Sequence, residues 1–422
     1  MSSTLPSGFD FIEGVPEESY PDWLNCWLTA LAIPANTDPS IVDFYRRTHP
    51  PERALAIRDD HGYVATDISL DCDMVLPGSR TVPVAFCTGG FCHPTHTRRG
   101  LMTVMLDRMT ERAADEGKAL CAGTPSEWPI YERFGHGPAT WAESVEIDVR
   151  RAGLRKDAPG LTVRPRRVAG KEARDVAGQV FALQAATTPG EVIPPDAFWD
   201  RLSADPASSA IEQSLWMCGK GLGPRQCAAI DGRGFVSYRI TPAWTAEHAA
   251  SSTLQIIDFL AADTEAAGAL WRHLFSIDMV DTIRADRLPV DDPLRWWVTD
   301  ARRIRRLRTD GLWLRLIDVP RLLETRTWSA DGAVTLQVHD RGGFTEGTYR
   351  LDVEAGAGSC RRTTATPDLV MDTSTLAAII LGGTPATSLH RSGRIEARDA
   401  RHAQRWDALA VPERAPFQSY WL

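Results

Sequence analysis

The 422-residue sequence has no apolar run near the roughly 18 residues that a membrane-spanning helix requires, so no membrane partner is expected. It has no Cys-x-x-Cys pair either. Its eight cysteines, at 26, 72, 87, 92, 121, 218, 227 and 360, are scattered, with no companion histidines at metal-ligand spacing. The nearest approach to a cluster, Cys87, Cys92, His93 and His96, falls on a strand end and a turn. No metal is expected there, and the thiols read as buried groups in a reducing compartment. Basic residues are in the minority, 47 Lys and Arg against 55 Asp and Glu, and a net charge of −8 argues against nucleic acid, whose binding is driven by basic patches. The opening segment, MSSTLPSGFDFIEGVPEESYPD, lacks the basic and apolar regions of a secretion signal, so a cytoplasmic location is expected.

What is present describes a globular protein of more than one domain. Hydrophobic residues make up 43% and charged residues 24%, and single cores stop growing near roughly 250 to 300 residues, so two or three domains are predicted. Acidic residues gather at Glu13, Glu17, Glu18 and Asp22 and again from Asp67 to Asp73, as a solvated surface or as an attraction for a cationic small molecule.

Residues 53–58, 63–76 and 81–92 alternate or are β-branched and are separated by turn residues, which predicts antiparallel strands. From Gly100, Leu101, Met102, Val104, Met105, Met109 and Ala113 recur at helical spacing up to Gly117. KALCAGT then reads as a strand and WPIYERF as a helical turn. Residues 150–160, polar with Gly and Pro, read as a linker. After them the pattern restarts, with a helix over 170–185, a hairpin at Asp231-Gly232, a strand in TLQIIDFLAA and a helix over 264–275. This is a second copy of the same order with no matching motif at its own strand-to-helix turn. The last hundred residues bring new strands (AVTLQVHD, GTYRLDV), two helices and an apolar tail. Burying Phe417, Tyr420, Trp421 and Leu422 would contribute about 1.5 to 3 kcal/mol each.

Three features carry chemistry. PTHTRRGLM (94–102) follows a strand, holds Arg98, Arg99 and Gly100, and opens the strongest helix, the arrangement that grips a pyrophosphate through helix N-terminal amides. Gly89-Gly90 inside the preceding strand predicts a bulge or a close backbone approach, and a flexible turn is the alternative. Acyl transfer from a thioester to an amine needs an acid for the leaving thiolate, and Tyr131 follows the strand ending at Thr124.

PTHTRRG followed by SEWPIYERFGHGPAT, with DGLWLRLIDVPRLLE and PDLVMDTSTLAAIILGG further on, resembles the Eis (enhanced intracellular survival) family of GNAT N-acetyltransferases over nearly the whole chain. The resemblance implies an α/β (α+β) protein of two tandem GNAT folds with mixed central sheets, at 1–150 and 151–318, and a sterol-carrier-protein-like α+β domain at 319–422. It implies acetyl-CoA as co-substrate, a polycationic amine such as an aminoglycoside as acceptor, and a hexamer. It makes Tyr131 the general acid and the carboxylate of Leu422 the general base, although the family usually ends in phenylalanine. Ser126 falls near the thioester, and Arg98, Arg99 and Gly100 form the pyrophosphate loop. Thr97 stands where the family favours Arg or Gln, and Gly90 and Cys92 where it usually has valines beside the pantetheine. Asp22, Trp23 and Trp27 are expected in the acceptor site. A CoA- or lipid-binding protein without transferase activity, and a diverged enzyme with another donor, are the alternatives.

Overall fold

The computed structural model describes residues 4–30, 39–160, 162–203 and 223–420. The chain forms two compact units. One comprises Met1–Trp141, Thr187–Ile193 and Asp310–Phe417; the other comprises Ala142–Ala186, Pro194–Thr309 and Gln418–Leu422.

In the first unit the expected strands form. β1 (Asp10–Glu13), β2 (Ala54–Asp59), β3 (Gly62–Leu76) and β4 (Arg80–Cys92) pair antiparallel in sequence order, and β5 (Leu120–Gly123) pairs parallel to β4. A parallel neighbour needs a crossover, and α3 (Leu101–Asp115) supplies it. Its stripe of Leu101, Met105 and Met109 packs on Leu55, Ile57, Val64 and Ala65. On the sheet also lies α1 (Tyr20–Ala30), tied to the residue after α2 (Pro39–Thr48) where the Tyr20 hydroxyl donates to the carbonyl of His49 at 2.8 Å. α4 (Trp128–Glu132) leads into β6 (His136–Pro138).

A strand from far along the chain, Trp313–Leu316, lies antiparallel between β5 and β6. Conversely β7 (Trp141–Asp148), which follows β6, belongs to the seven-stranded sheet of the second unit, between strands Ile304–Asp310 and Val280–Pro289. Each sheet thus takes a strand from the sequence beside the other. The rest of the first unit is a five-stranded sheet built from residues 332–397, with helix Thr373–Ile379 against β6 and Trp313–Leu316. Arg315 and Asp340, each about 2% exposed, join the two sheets by a bidentate ion pair at 2.8 and 2.9 Å.

In the second unit the helices Gly170–Ala185 and Thr264–Phe275 occupy the ranges read from the sequence. The linker reading of residues 150–160 is overturned. Ala152 and Ala158 are buried, Gly160 at φ +84 lies against the backbone of Ala269 where no Cβ fits, and Arg272 donates to the carbonyls of Pro159 at 2.8 Å and of Arg155 and Lys156 at 3.3 Å. Polarity and glycine here serve close packing against a helix rather than freedom. The tail is docked as its composition predicts: Phe417 and Tyr420 are buried, and Tyr420 packs between Phe181 and Phe198 at 5.5 and 4.8 Å. Trp421 and Leu422 lie outside the described residues.

Candidate active site

The glycine pair makes a bulge. The β3–β4 ladder pairs Ile68 with Thr88 and resumes at Thr66 with Phe91, so Asp67 alone faces both Gly89 and Gly90. Gly89 takes φ +69, a conformation costly to any residue with a side chain, and the Thr66 hydroxyl fixes it by donating to its carbonyl at 2.8 Å. Around the bulge the sheet opens. β4 and β5 pair from Val84–Leu120 to Cys87–Gly123; β5 then ends, while β4 runs on to Cys92. Among the described residues, 89–92 have no strand partner on the β5 side, and Gly90 and Cys92 lie on this open length.

The strand ends in a turn at Pro94–His96, braced by His96 Nε2 at 3.1 Å from Asp59. Thr97 spends its hydroxyl on the carbonyl of Pro94 at 3.3 Å. Arg98 at φ +64 and Gly100 at φ +83 turn the chain into α3, whose first amides have no side-chain cap. Arg98 and Arg99 are exposed beside them. Free amides at the positive end of a 15-residue helix, flanked by two guanidinium groups, suit a pyrophosphate. The corresponding helix of the second unit differs. Its amides are capped by Asp263, which accepts from Ala266 N at 2.9 Å and pairs with Arg233 at 2.8 Å, so a carboxylate already occupies the position an anion would take.

Tyr131 on α4 is half-buried, its ring edge-on to His136 at 5.7 Å. Burial is the main cause that raises its phenol above the ordinary range, followed by the charge of Asp67 and then Cys87 and Glu127. The phenol therefore holds its proton at neutral pH, as an acid must. Burial, aided by Arg315, pushes His136 down to about 3, so it is neutral. Ser126 is exposed in the loop before α4.

The expected acceptor residues separate. Asp22 is exposed. Trp23 is fully buried, with its indole N–H donating to the carbonyl of Leu55 at 3.0 Å, so it supports the wall rather than lining the site. Trp27 lies against the bulge, with ring atoms 3.3 Å from where a Cβ on Gly89 would stand, and its Nε1 has no hydrogen-bond partner.

The acidic stretch from 67 to 73 also divides. Asp71 is exposed and pairs with Lys118 at 2.7 Å, whereas Asp67 is 1% exposed, accepts one bond from Ile68 N at 2.8 Å, and leaves Oδ2 unpartnered. Burial holds its carboxyl well above the usual range. The folded state thus retains a proton that the unfolded chain releases above roughly pH 4, and stability falls as pH rises through that window. Asp67→Asn is accordingly expected to melt several degrees above the parent at about pH 8 and level with it near pH 3. Equal melting at both pH values in a thermal scan would mean that the carboxylate ionises in the fold without cost. The sequence did not set Asp67 apart from the rest of its acidic stretch and did not single out His49. The one signal for Asp67 was a carboxylate in a β-branched strand opposite a glycine pair.

Residues 12–139 match the model of an acetyltransferase (GNAT) domain, 190–317 that of a second GNAT acetyltransferase domain, and 319–419 that of a sterol carrier protein domain. An uncharacterized N-acetyltransferase of Streptomyces griseus is 33% identical over 360 residues, 84% of this chain and 85% of that protein. N-acetyltransferase Eis of Mycobacterium tuberculosis (strain ATCC 25177 / H37Ra) is 29% identical over 94% of this chain and 97% of its own length. This chain belongs to the Eis family of GNAT N-acetyltransferases. Its fold agrees: the crystal structure of Eis1 from Mycobacterium abscessus superposes with a TM-score of 0.82 at 27% identity, covering 98% of this chain and all (100%) of that one. Two GNAT domains and a sterol-carrier-like domain account for the three sheets, and the chain is an acetyltransferase enzyme. As an Eis-family enzyme it acts on a small molecule, and no helix among the described residues is long and apolar enough to cross a membrane.

Proposed function

We propose that this enzyme transfers the acetyl group of acetyl-CoA to an amine of a polycationic, aminoglycoside-like small molecule. The observation that carries the reading is the open length of β4 beyond Cys87, which leads from the Gly89-Gly90 bulge to the uncapped start of α3. Acetyl-CoA supplies an acyl group activated as a thioester. The backbone of Gly90 and Cys92 lies beside the pantetheine, the amides of Gly100 and α3 with Arg98 and Arg99 hold the pyrophosphate, and Ser126 sits near the thioester. Tyr131 Oη gives its proton to the leaving sulfur, and the terminal carboxylate of Leu422 takes the proton of the attacking amine. Thr97 brings no cation to the pyrophosphate, so the grip rests on Arg98 and Arg99. As in the family it resembles, the chain assembles as a hexamer.

The test is incubation with acetyl-CoA and a panel of aminoglycosides, polyamines and monoamines, following free thiol and product mass. Thiol release dependent on a polyamine or aminoglycoside is expected. Absence of release with every acceptor would overturn the assignment of donor and substrate, and release only with another acyl-CoA would overturn the donor alone.

A further inference from the structure

Three buried polar atoms beside the Gly89-Gly90 bulge have no partner among the described residues: Asp67 Oδ2, Trp27 Nε1 and His49 Nε2. Buried polar groups are overwhelmingly hydrogen-bonded, and one left alone costs about 1 to 3 kcal/mol, so three in one corner mark a place that something polar completes. They are neighbours. The Trp27 ring abuts Gly89, the Asp67 carboxylate oxygen is 3.4 Å from where a Cβ on Gly90 would stand, and the rings of Trp27 and His49 are 5.2 Å apart. A charge on Asp67 would be felt at the Tyr131 phenol, so the corner lies within electrostatic reach of the proposed acid.

The chemistry of each atom can be read. With the Thr48 hydrogen assigned to the helix carbonyls of Phe44 at 2.9 Å and Tyr45 at 3.3 Å, Thr48 accepts from His49 Nδ1–H at 2.8 Å, the tautomer that leaves Nε2 without a proton. Burial pushes His49 down to about 3, which keeps the ring neutral, and Nε2 is therefore a bare acceptor. Trp27 Nε1–H is a donor. An acceptor and a donor on adjacent rings are the two partners of one hydroxyl group. Asp67, buried without a cation among the described residues, would hold its proton when alone, and an ammonium group placed alongside stabilises its charged form.

We propose that Asp67, Trp27 and His49 form the acceptor subsite of this enzyme, where the Asp67 carboxylate binds the ammonium of the substrate and His49 with Trp27 holds a hydroxyl on a neighbouring carbon. The substrate class is then an amino alcohol rather than a plain alkylamine. The inference rests on the proposed acetyl transfer, and wild-type activity separates the two: a wild-type enzyme that releases no thiol with any amine removes the transferase reading and the subsite with it.

The test compares 1,3-diaminopropan-2-ol with 1,3-diaminopropane, which differ by one hydroxyl, in the full-length enzyme with acetyl-CoA. Asp67→Asn keeps the shape and removes the charge. It is expected to lower kcat/KM for both amines by about 30-fold or more, with the acetyl-CoA KM within about twofold of the parent. His49→Phe keeps a ring and removes the acceptor. It is expected to lose about tenfold with the hydroxylated diamine and little with the other. Melting curves check each variant, and Asp67→Ala, which leaves room for water, must reproduce the loss of the Asn variant. Asp67 variants within about threefold of the parent for both amines would remove the ammonium site. Equal effects of His49→Phe on both amines would show that the corner holds only a structural water and would remove the hydroxyl site.

Discussion

Replacing Tyr131 by phenylalanine should lower turnover at least about tenfold, the usual consequence of losing a general acid, while the acetyl-CoA KM stays close to that of the parent. The reasoning is geometric before it is electrostatic. The phenol stands on a short helix that follows β5 in the chain, and β4 runs on past its last pairing with β5. Burial pushes the phenol's pKa up, and the Asp67 and Cys87 groups add to the shift. An acid so placed stays protonated across the neutral range, so the parent's kcat should not fall through loss of this proton until strongly alkaline pH. Phenylalanine keeps the ring that meets His136 at 5.7 Å and removes only the hydroxyl, so folding should be spared. Steady-state kinetics with the best acceptor decide the matter, and near-normal turnover removes Tyr131 from its role.

The largest expected loss of stability comes from Asp340→Ala. Asp340 accepts two bonds from Arg315, and others from Gly342 N at 3.0 Å and from Thr345 N and hydroxyl at 2.9 and 3.0 Å. Removing it leaves the Arg315 guanidinium buried without its counter-ion. Breaking a buried pair from one side costs about 3 to 5 kcal/mol, or a melting temperature lower by about 10 °C. Arg315 lies on the strand that flanks β5, so activity should fall at temperatures where the parent is still folded. The carboxyl is held below its usual range, which fixes the sign with pH: its contribution is present above about pH 4 and is lost as pH falls through the depressed folded value. The gap between variant and parent in thermal scans should therefore narrow in acid, and a variant that melts with the parent at neutral pH would refute the pairing argument.

Much of this protein was legible in its sequence because the information is local. Apolar spacing after Gly100 fixed α3, a turn at Asp231-Gly232 fixed a hairpin, and Gly89-Gly90 marked a bulge, since a left-handed φ inside a strand selects glycine whatever lies around it. The turn that opens α3 could be read for the same reason, as strand, turn and helix are contiguous. What the sequence could not decide is what contiguous residues do not determine. The burial of Asp67 and the exposure of Asp71 follow from how β3 packs, and four positions apart on one strand they look alike. Residues 150–160 read as free because polarity and glycine were visible, whereas the helix that packs on them is a hundred positions away. The strand Trp313–Leu316 completes a sheet begun at Asp10, and Arg315 meets Asp340, because backbone and charge pairing depend on which groups are brought within reach and excluded from water. Local propensity thus determined the elements and the turn into α3, and only tertiary burial, which sets the cost of an unpaired charge or amide, decided which polar residues are withdrawn from water and left to seek a partner.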